Sequence, residues 1–304
     1  MKKIIRYWNQ NRRQIIIVIA IIAFAIFALK VINSLLDNSV GYNNDTNISK
    51  VEDVTKPNKS AITGETIPEE TVEKNSDLVK KFINYCNNKE IEKAYNLLTD
   101  DCKSEFNNDV YKFRDNYFNN IFGTPKSYSL ELWGNESGYY TYKITYYENN
   151  LLATGGQSLN NNIEDYITIT RKNGEDKLNI GCFIKKQDIN KTKSSDNIDI
   201  TINNRRVYKS YEKYIVTIKN NGTTNITISD GKNNSDICII DNNNTKYVSY
   251  ISEILDSKLT IEPGRQTQLE IKFNKIYNSY KFIKQMEFSN IKKENKKLNI
   301  KINY

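Results

Sequence analysis

The chain has 304 residues, of which 44 are Lys or Arg, 36 are Asp or Glu and none is His, for a net charge of +8. A protein without histidine has no Ser-His-Asp or Cys-His catalysis, no histidine metal ligand and no histidine pH switch. Gly (12), Pro (4) and Met (2) are scarce while Tyr (21), Asn, Ile and Lys abound. That bias reads as the A+T-rich codons of a low-GC bacterium, so most asparagines carry no message and Asn135-Glu136-Ser137 is not taken as a glycosylation site.

In chain order, residues 1–14 carry Lys2, Lys3, Arg6, Arg12 and Arg13 and no acid. Ile15 to Leu29 is uncharged and almost wholly aliphatic, and because Lys30 can snorkel to headgroups the apolar span extends to Leu36. Basic residues on one flank of an apolar stretch resist translocation, so these five set the topology: residues 15–36 form a transmembrane helix, the N-terminus stays cytoplasmic, and the rest is extracellular. A cleaved signal peptide needs small residues just after its core; Ser39-Val40-Gly41 is the nearest candidate and lies well past Leu29. Residues 37–75 lack an apolar period and contain Pro57 and Pro68, which reads as a flexible linker.

From Ser76, an expected N-cap, Leu78, Val79, Phe82, Ile83 and Cys86 recur at helical spacing, followed by an Asn87-Asn88 turn. A second helix takes Ile91, Ala94, Tyr95, Leu97 and Leu98 and is expected to run on through Cys102, placing that thiol roughly 18 Å from Cys86, too far for a disulfide. A third takes Val110, Phe113, Tyr117, Phe118, Ile121 and Phe122, and Gly123-Thr124-Pro125 stops it. The period then changes to two: strands are expected around 128–132, 140–146, 166–170 and 178–184, with Asn173-Gly174 as a hairpin turn. Cys182 is expected on the last of these and Cys238 on a later strand, and all four cysteines read as small buried hydrophobes.

Three helices followed by an antiparallel sheet resemble the NTF2-like superfamily, with Leu78–Cys86 and Ile91–Leu98 as its opening hairpin. The resemblance implies an α+β cone over residues 76–190. Enzymes of this shape pair an Asp or His base with a tyrosine acid. Asp165 and Tyr166 are the pair available, but neighbours on a strand point to opposite faces and do not enter one pocket together.

Residues 191–304 show only strand signals, among them Ile198-Ile200-Ile202, Tyr214-Val216-Ile218, Leu269-Ile271-Phe273 and Leu298-Ile300-Ile302, separated by turns that include Glu262-Pro263-Gly264-Arg265. Many short strands in one stretch argue for a β-sandwich. The run from Leu259 through Arg265 to Leu269–Phe273 resembles the immunoglobulin-like domains of Gram-positive bacterial surfaces. The fold class expected is therefore α+β: a transmembrane helix, an NTF2-like cone and a C-terminal all-β immunoglobulin-like sandwich.

Charge is unevenly spread: residues 76–190 carry −2 and residues 191–304 carry +8, with Lys281, Lys284, Lys292, Lys293, Lys296, Lys297 and Lys301 crowded near the end. These lysines read as protection for an edge strand, with a polyanion-binding surface as the alternative. The oxygen-rich runs Asp230–Asp236 and Asp241–Asn244 lack the spacing of a calcium loop, so no metal and no cofactor is expected. Arg205, Arg206, Tyr208, Lys209 and Tyr211 mix bases with aromatics, but their alternating strand pattern and outside location argue against nucleic acid. A short cytoplasmic tail, one helix and an NTF2-like ectodomain are similar to the assembly component of conjugative type IV secretion systems; Gram-positive members carry two NTF2-like domains, whereas the second domain here reads as all-β. The functions to weigh are a non-enzymatic scaffold meeting other envelope or transfer-complex proteins or copies of itself, an extracytoplasmic enzyme with an Asp/Tyr pocket, and a polyanion-binding surface protein.

Overall fold

A computed structural model describes residues 58–136, 138–148, 162–278 and 280–304. The expected span at 15–36 and its flanking Lys2, Lys3, Arg6, Arg12 and Arg13 lie outside these residues, and among the described residues no helix is long and apolar enough to cross a membrane. The fold is α+β, and its sheets are antiparallel.

The stretch 58–75, expected as linker, is built into the fold. Lys59 bridges Thr66 in a short hairpin, and the amides of Ala61 and Ile62 donate to the carbonyls of Leu132 and Trp133, at 2.9 and 3.0 Å. Helix α1 (Glu69–Asn87) then begins before Ser76. Pro68 starts it, since a proline loses no hydrogen bond at a helix start, and Glu69 and Glu70 face the positive end of the dipole. Ser76 is a buried residue inside this helix, and Val72, Val79, Phe82, Ile83 and Cys86 form the inward stripe.

The second helix does not continue to Cys102. It runs over Ile91–Asn96 (α2), breaks where Leu98 bridges Leu178, and restarts as α3 (Asp100–Glu105) with the Thr99 hydroxyl accepting from the Cys102 amide at 2.9 Å. The third expected helix is α4 (Val110–Phe113), a π turn over Arg114–Phe118 and α5 (Asn119–Ile121).

Strands β1 (Lys126–Glu136), β2 (Tyr139–Glu148), β3 (Ile163–Lys172) and β4 (Glu175–Asn179) form a four-stranded sheet in chain order. Asn173 and Gly174 turn β3 into β4 with φ of 53° and 84°, the left-handed pair that a tight hairpin needs. Helices and sheet share one core, with Phe82, Phe113, Phe122, Tyr142 and Ile144 inside.

The single strand expected over 178–184 is two strands. β4 ends at Asn179, Gly181 and Cys182 turn the chain with φ of 67° and 63°, and β5 (Phe183–Ser195) leaves for a different sheet. Cys182 thus sits in a turn, not on a strand. β5 also runs unbroken across residues 190 and 191, where the sequence divides into two expected domains.

β5 is the edge of a sheet ordered β12-β7-β6-β5, with β6 over Ile198–Tyr208, β7 over Glu212–Asn220 and β12 over Gln266–Phe273. A second sheet holds β8 (Ile226–Thr227), β9 (Ile237–Asp241), β10 (Lys246–Val248), β11 (Thr260–Ile261), β13 (Ile283–Lys293) and β14 (Lys296–Asn303), in the order β10-β9-β13-β8-β11 with β14 on the other side of β13. Ile200, Ile202 and Val216 of one sheet and Ile239, Met286 and Phe288 of the other belong to one core. Period-two sequence is what permits this: Ile198, Ile200 and Ile202 turn inward while Asp199 and Thr201 do not. Between β11 and β12, Gly264 adopts φ 72° and the Arg265 amide donates to the Glu262 carbonyl at 3.1 Å, the expected type II turn.

All the described residues belong to one compact unit. Tyr208, from β6, is buried in the helix-and-sheet core, and a third small core of Ile184, Val207 and Tyr277, flanked by Ile62 and Trp133, joins the two parts. Shared cores couple unfolding. Phe82→Ala in one core and Phe288→Ala in the other are each expected to cost about 3–5 kcal/mol, and both should lower the midpoint of a single transition followed by near-ultraviolet circular dichroism and calorimetry. Two separated transitions, only one of them moved by each variant, would show independent domains.

Candidate functional site

Asp165 is the acid that the enzyme reading would use, and β3 turns its side chain into the helix-and-sheet core, where it is 4% exposed. One carboxylate oxygen accepts from the Tyr117 hydroxyl at 2.7 Å and the Gly181 amide at 3.1 Å. The other accepts from the amides of Tyr166 (2.7 Å) and Cys182 (2.9 Å), with the Cys182 thiol at 3.5 Å. The Tyr117 hydroxyl also lies 3.2 Å from that of Tyr146. Burial pushes the Asp165 carboxyl above the ordinary aspartate value, against the pull of these donors, and pushes both tyrosines well above theirs. Gly181 and Cys182 are the two left-handed residues of the β4–β5 turn, so what the carboxylate does here is hold a turn.

Tyr166 points the other way, as period two requires. Its ring meets Trp133 edge-on at 4.9 Å between centroids, and the Lys209 ammonium lies 4.4 Å from its ring centre. Sequence adjacency therefore does not bring Asp165 and Tyr166 together. The tyrosine that Asp165 does hold, Tyr117, lies 48 positions away and carries no short-range signal.

Where the two parts meet, charges are buried in pairs. Glu212, fully buried, accepts from Arg205 at 2.8 Å and from the Tyr214 hydroxyl at 2.9 Å, and the Lys275 ammonium lies 2.9 Å from it as an ion pair. Burial alone would raise the Glu212 carboxyl, but the two cations outweigh it and leave it below the ordinary glutamate value; burial lowers Lys275. Glu136, at the end of β1, pairs with Lys185 at 2.7 Å and accepts from the Tyr277 hydroxyl. Glu105 of α3 pairs with Arg206 at 2.6 Å and accepts from Tyr208. The bases and rings of the run from Arg205 to Tyr211 thus have partners within the molecule: Tyr208 stacks on Tyr211 at 4.3 Å, and Lys272 lies over Tyr211.

The late lysines divide between roles. Lys296, Lys297 and Lys301 are exposed on β14, which pairs only with β13 and so forms an edge. Lys293 donates to the Asp196 carbonyl and Lys284 to Asn244. Lys301 and Lys246 flank Glu287 at 2.8 and 2.9 Å, and these contacts, Lys301 first, hold its carboxyl down at about 2.

The oxygen-rich loops are occupied by their own backbone and neighbours. Asp241 accepts from the amides of Asn243 and Thr245 and from the Tyr247 hydroxyl, and Asp236 from Ser229, Asn233 and Asn290. Among the described residues no group of three or more Cys, Asp or Glu is gathered as for a metal ion. All four cysteines are free.

No protein-family model and no curated protein matches the chain. Among solved structures, a conserved hypothetical protein from Bacillus anthracis aligns over 38% of this chain and 96% of its own, with 13% identity and a TM-score of 0.25, too low to carry either fold or function.

Removing the Asp165 carboxylate leaves Tyr117 and the amides of Gly181 and Cys182 without their acceptor, at about 1–3 kcal/mol for each unsatisfied buried group. Asp165→Ala should therefore lose at least about 3 kcal/mol in urea denaturation. Near-wild-type stability would refute the turn-holding role. Glu287 predicts an acid limb. Its carboxyl titrates at an ordinary 4.5 when unfolded and about 2 when folded, so the stability it contributes is present above pH 4.5 and is lost as pH falls toward 2. Glu287→Gln should flatten that part of the stability-against-pH curve and leave neutral-pH behaviour of other groups unchanged.

Proposed function

We propose that this chain is a single-pass, membrane-anchored extracytoplasmic interaction module without catalytic chemistry of its own. Its N-terminus is cytoplasmic, and an NTF2-like part and an immunoglobulin-like sandwich stand outside, meeting other envelope or transfer-complex proteins or further copies of the chain. Topology rests on Lys2, Lys3, Arg6, Arg12 and Arg13 ahead of an uncharged span. The observation that carries the non-enzymatic reading is the state of Asp165: each oxygen of the carboxylate that the enzyme reading would use already accepts at least two internal donors. A general base must reach a substrate proton, and this one is committed to a turn. The order of three helical stretches and an antiparallel sheet, then two sheets around one apolar core, supports the two-part description.

The test uses the full chain with a C-terminal tag in wall-stripped cells. The tag should sediment with membranes and be removed by protease added outside, and in vivo cross-linking should move the protein into larger species that survive mild detergent. A soluble tag, or one that external protease leaves intact, would overturn the topology. A chain that runs alone as a monomer under every mild extraction would overturn the interaction role.

A further inference from the structure

The hairpin that joins β13 to β14 brings lysines face to face. Lys292 stands directly opposite Lys297, and Lys293 directly opposite Lys296. Like charges directly opposite one another on a sheet repel and destabilise it. Lysines on an edge strand are explained by protection against stray pairing, but that account stops at β14. Lys292 and Lys293 belong to β13, which at this point is paired on both sides, with β14 and with β8. Lys293 is tied down, since its ammonium donates to the Asp196 carbonyl at 2.6 Å. Lys292, Lys296 and Lys297 make no ion pair among the described residues.

The register carries this charge into a row. Lys297, Lys292, Thr227 and Thr260 are successive cross-strand partners on β14, β13, β8 and β11. Ile226 and Ile261, the adjoining residues of β8 and β11, are buried in the sandwich core, so the row lies on the opposite, outer face. Neighbouring strands lie about 4.8 Å apart, which makes the row about 14 Å long. It offers two ammoniums and two hydroxyls, the hydroxyls 3.2 Å apart, and no carboxylate. The acids around it are engaged or lie off its end: Glu294 accepts from the Thr224 hydroxyl at 3.1 Å, Glu287 is held between Lys246 and Lys301, and Glu262 follows the end of β11.

We infer that this row is a docking surface for a linear phosphate polymer without bases, lying across the strands. Ammoniums meet phosphate as point charges, and the hydroxyls donate to further oxygens. A flat face without walls suits an extended chain, whereas a compact ligand needs a cleft. The row has no aromatic ring on which a nucleic-acid base could stack and no apolar side chain for a peptide to rest on. Bound phosphate would relieve the repulsion between Lys292 and Lys297. The inference goes beyond the interaction role proposed above and does not depend on residues 15–36.

The full-length chain in mild detergent is titrated into fluorescently labelled inorganic polyphosphate, and binding is followed by anisotropy at rising salt. Affinity should fall as salt rises. Lys297→Glu sets opposite charges across the pair and should abolish binding while raising the thermal midpoint. Lys292→Gln should weaken binding about fivefold, the order expected for one lysine at an anionic surface, without lowering that midpoint. Lys80→Gln together with Lys81→Gln removes two exposed charges on α1 and should leave affinity unchanged. Weakening by the α1 pair equal to that by the hairpin variants would show that net charge alone is felt, and overturns the inference. So does unchanged affinity in Lys297→Glu, or a binding loss that comes with a lowered midpoint in both hairpin variants. Oligothymidylate or polyglutamate of matched charge binding more tightly than polyphosphate assigns the row to nucleic acid or to an acidic peptide and overturns the phosphate polymer.

Discussion

One buried carboxylate decides where this chain goes. Asp165 gathers the amides of Gly181 and Cys182 in a left-handed turn, and that turn takes the backbone out of the helix-covered sheet and into the edge of the next one. A negative charge in an apolar core is costly, and it is tolerated here because every lone pair in reach has a donor. Had the turn gone elsewhere, β5 would not reach β6, and the partly buried pairs of Glu136 with Lys185 and Glu105 with Arg206 would have no geometry to form in.

Those pairs explain why the two parts make one unit. Each joins an acid from the helix-and-sheet part to a base on β5 or β6, and each is shielded from solvent on at least one side. Buried pairs contribute little net stability against an apolar alternative, but removing one partner leaves an uncompensated charge. They fix which face of one part meets which face of the other, while Tyr208, Phe183 and Tyr277 supply the apolar contact.

Local pattern made much of this legible. Period two located most of the strands, Asn173-Gly174 and Pro263-Gly264 marked real turns, and alternation alone predicted that Asp165 and Tyr166 would face apart. What it missed depends on distant residues. The helix expected through Cys102 breaks because Leu98 finds Leu178, and the Thr99 hydroxyl finds both the Cys102 amide and Asn179. The strand expected through Cys182 breaks because Asp165 is waiting sixteen and seventeen positions upstream of the two turn amides. The residues around Glu212 looked like a basic, aromatic surface, since nothing near Arg205 in sequence announces Lys275.

Asparagine is not idle here after all. In a chain with only 12 glycines, Asn107, Asn108, Asn173, Asn190, Asn197, Asn244 and Asn290 occupy left-handed positions that glycine usually fills. Asparagine gives up less freedom on folding than glycine does, so each bend is cheaper to order. The same choice sets a clock: an asparagine followed by glycine, as at Asn173-Gly174 and Asn221-Gly222, is where a side-chain amide cyclises and is lost with age.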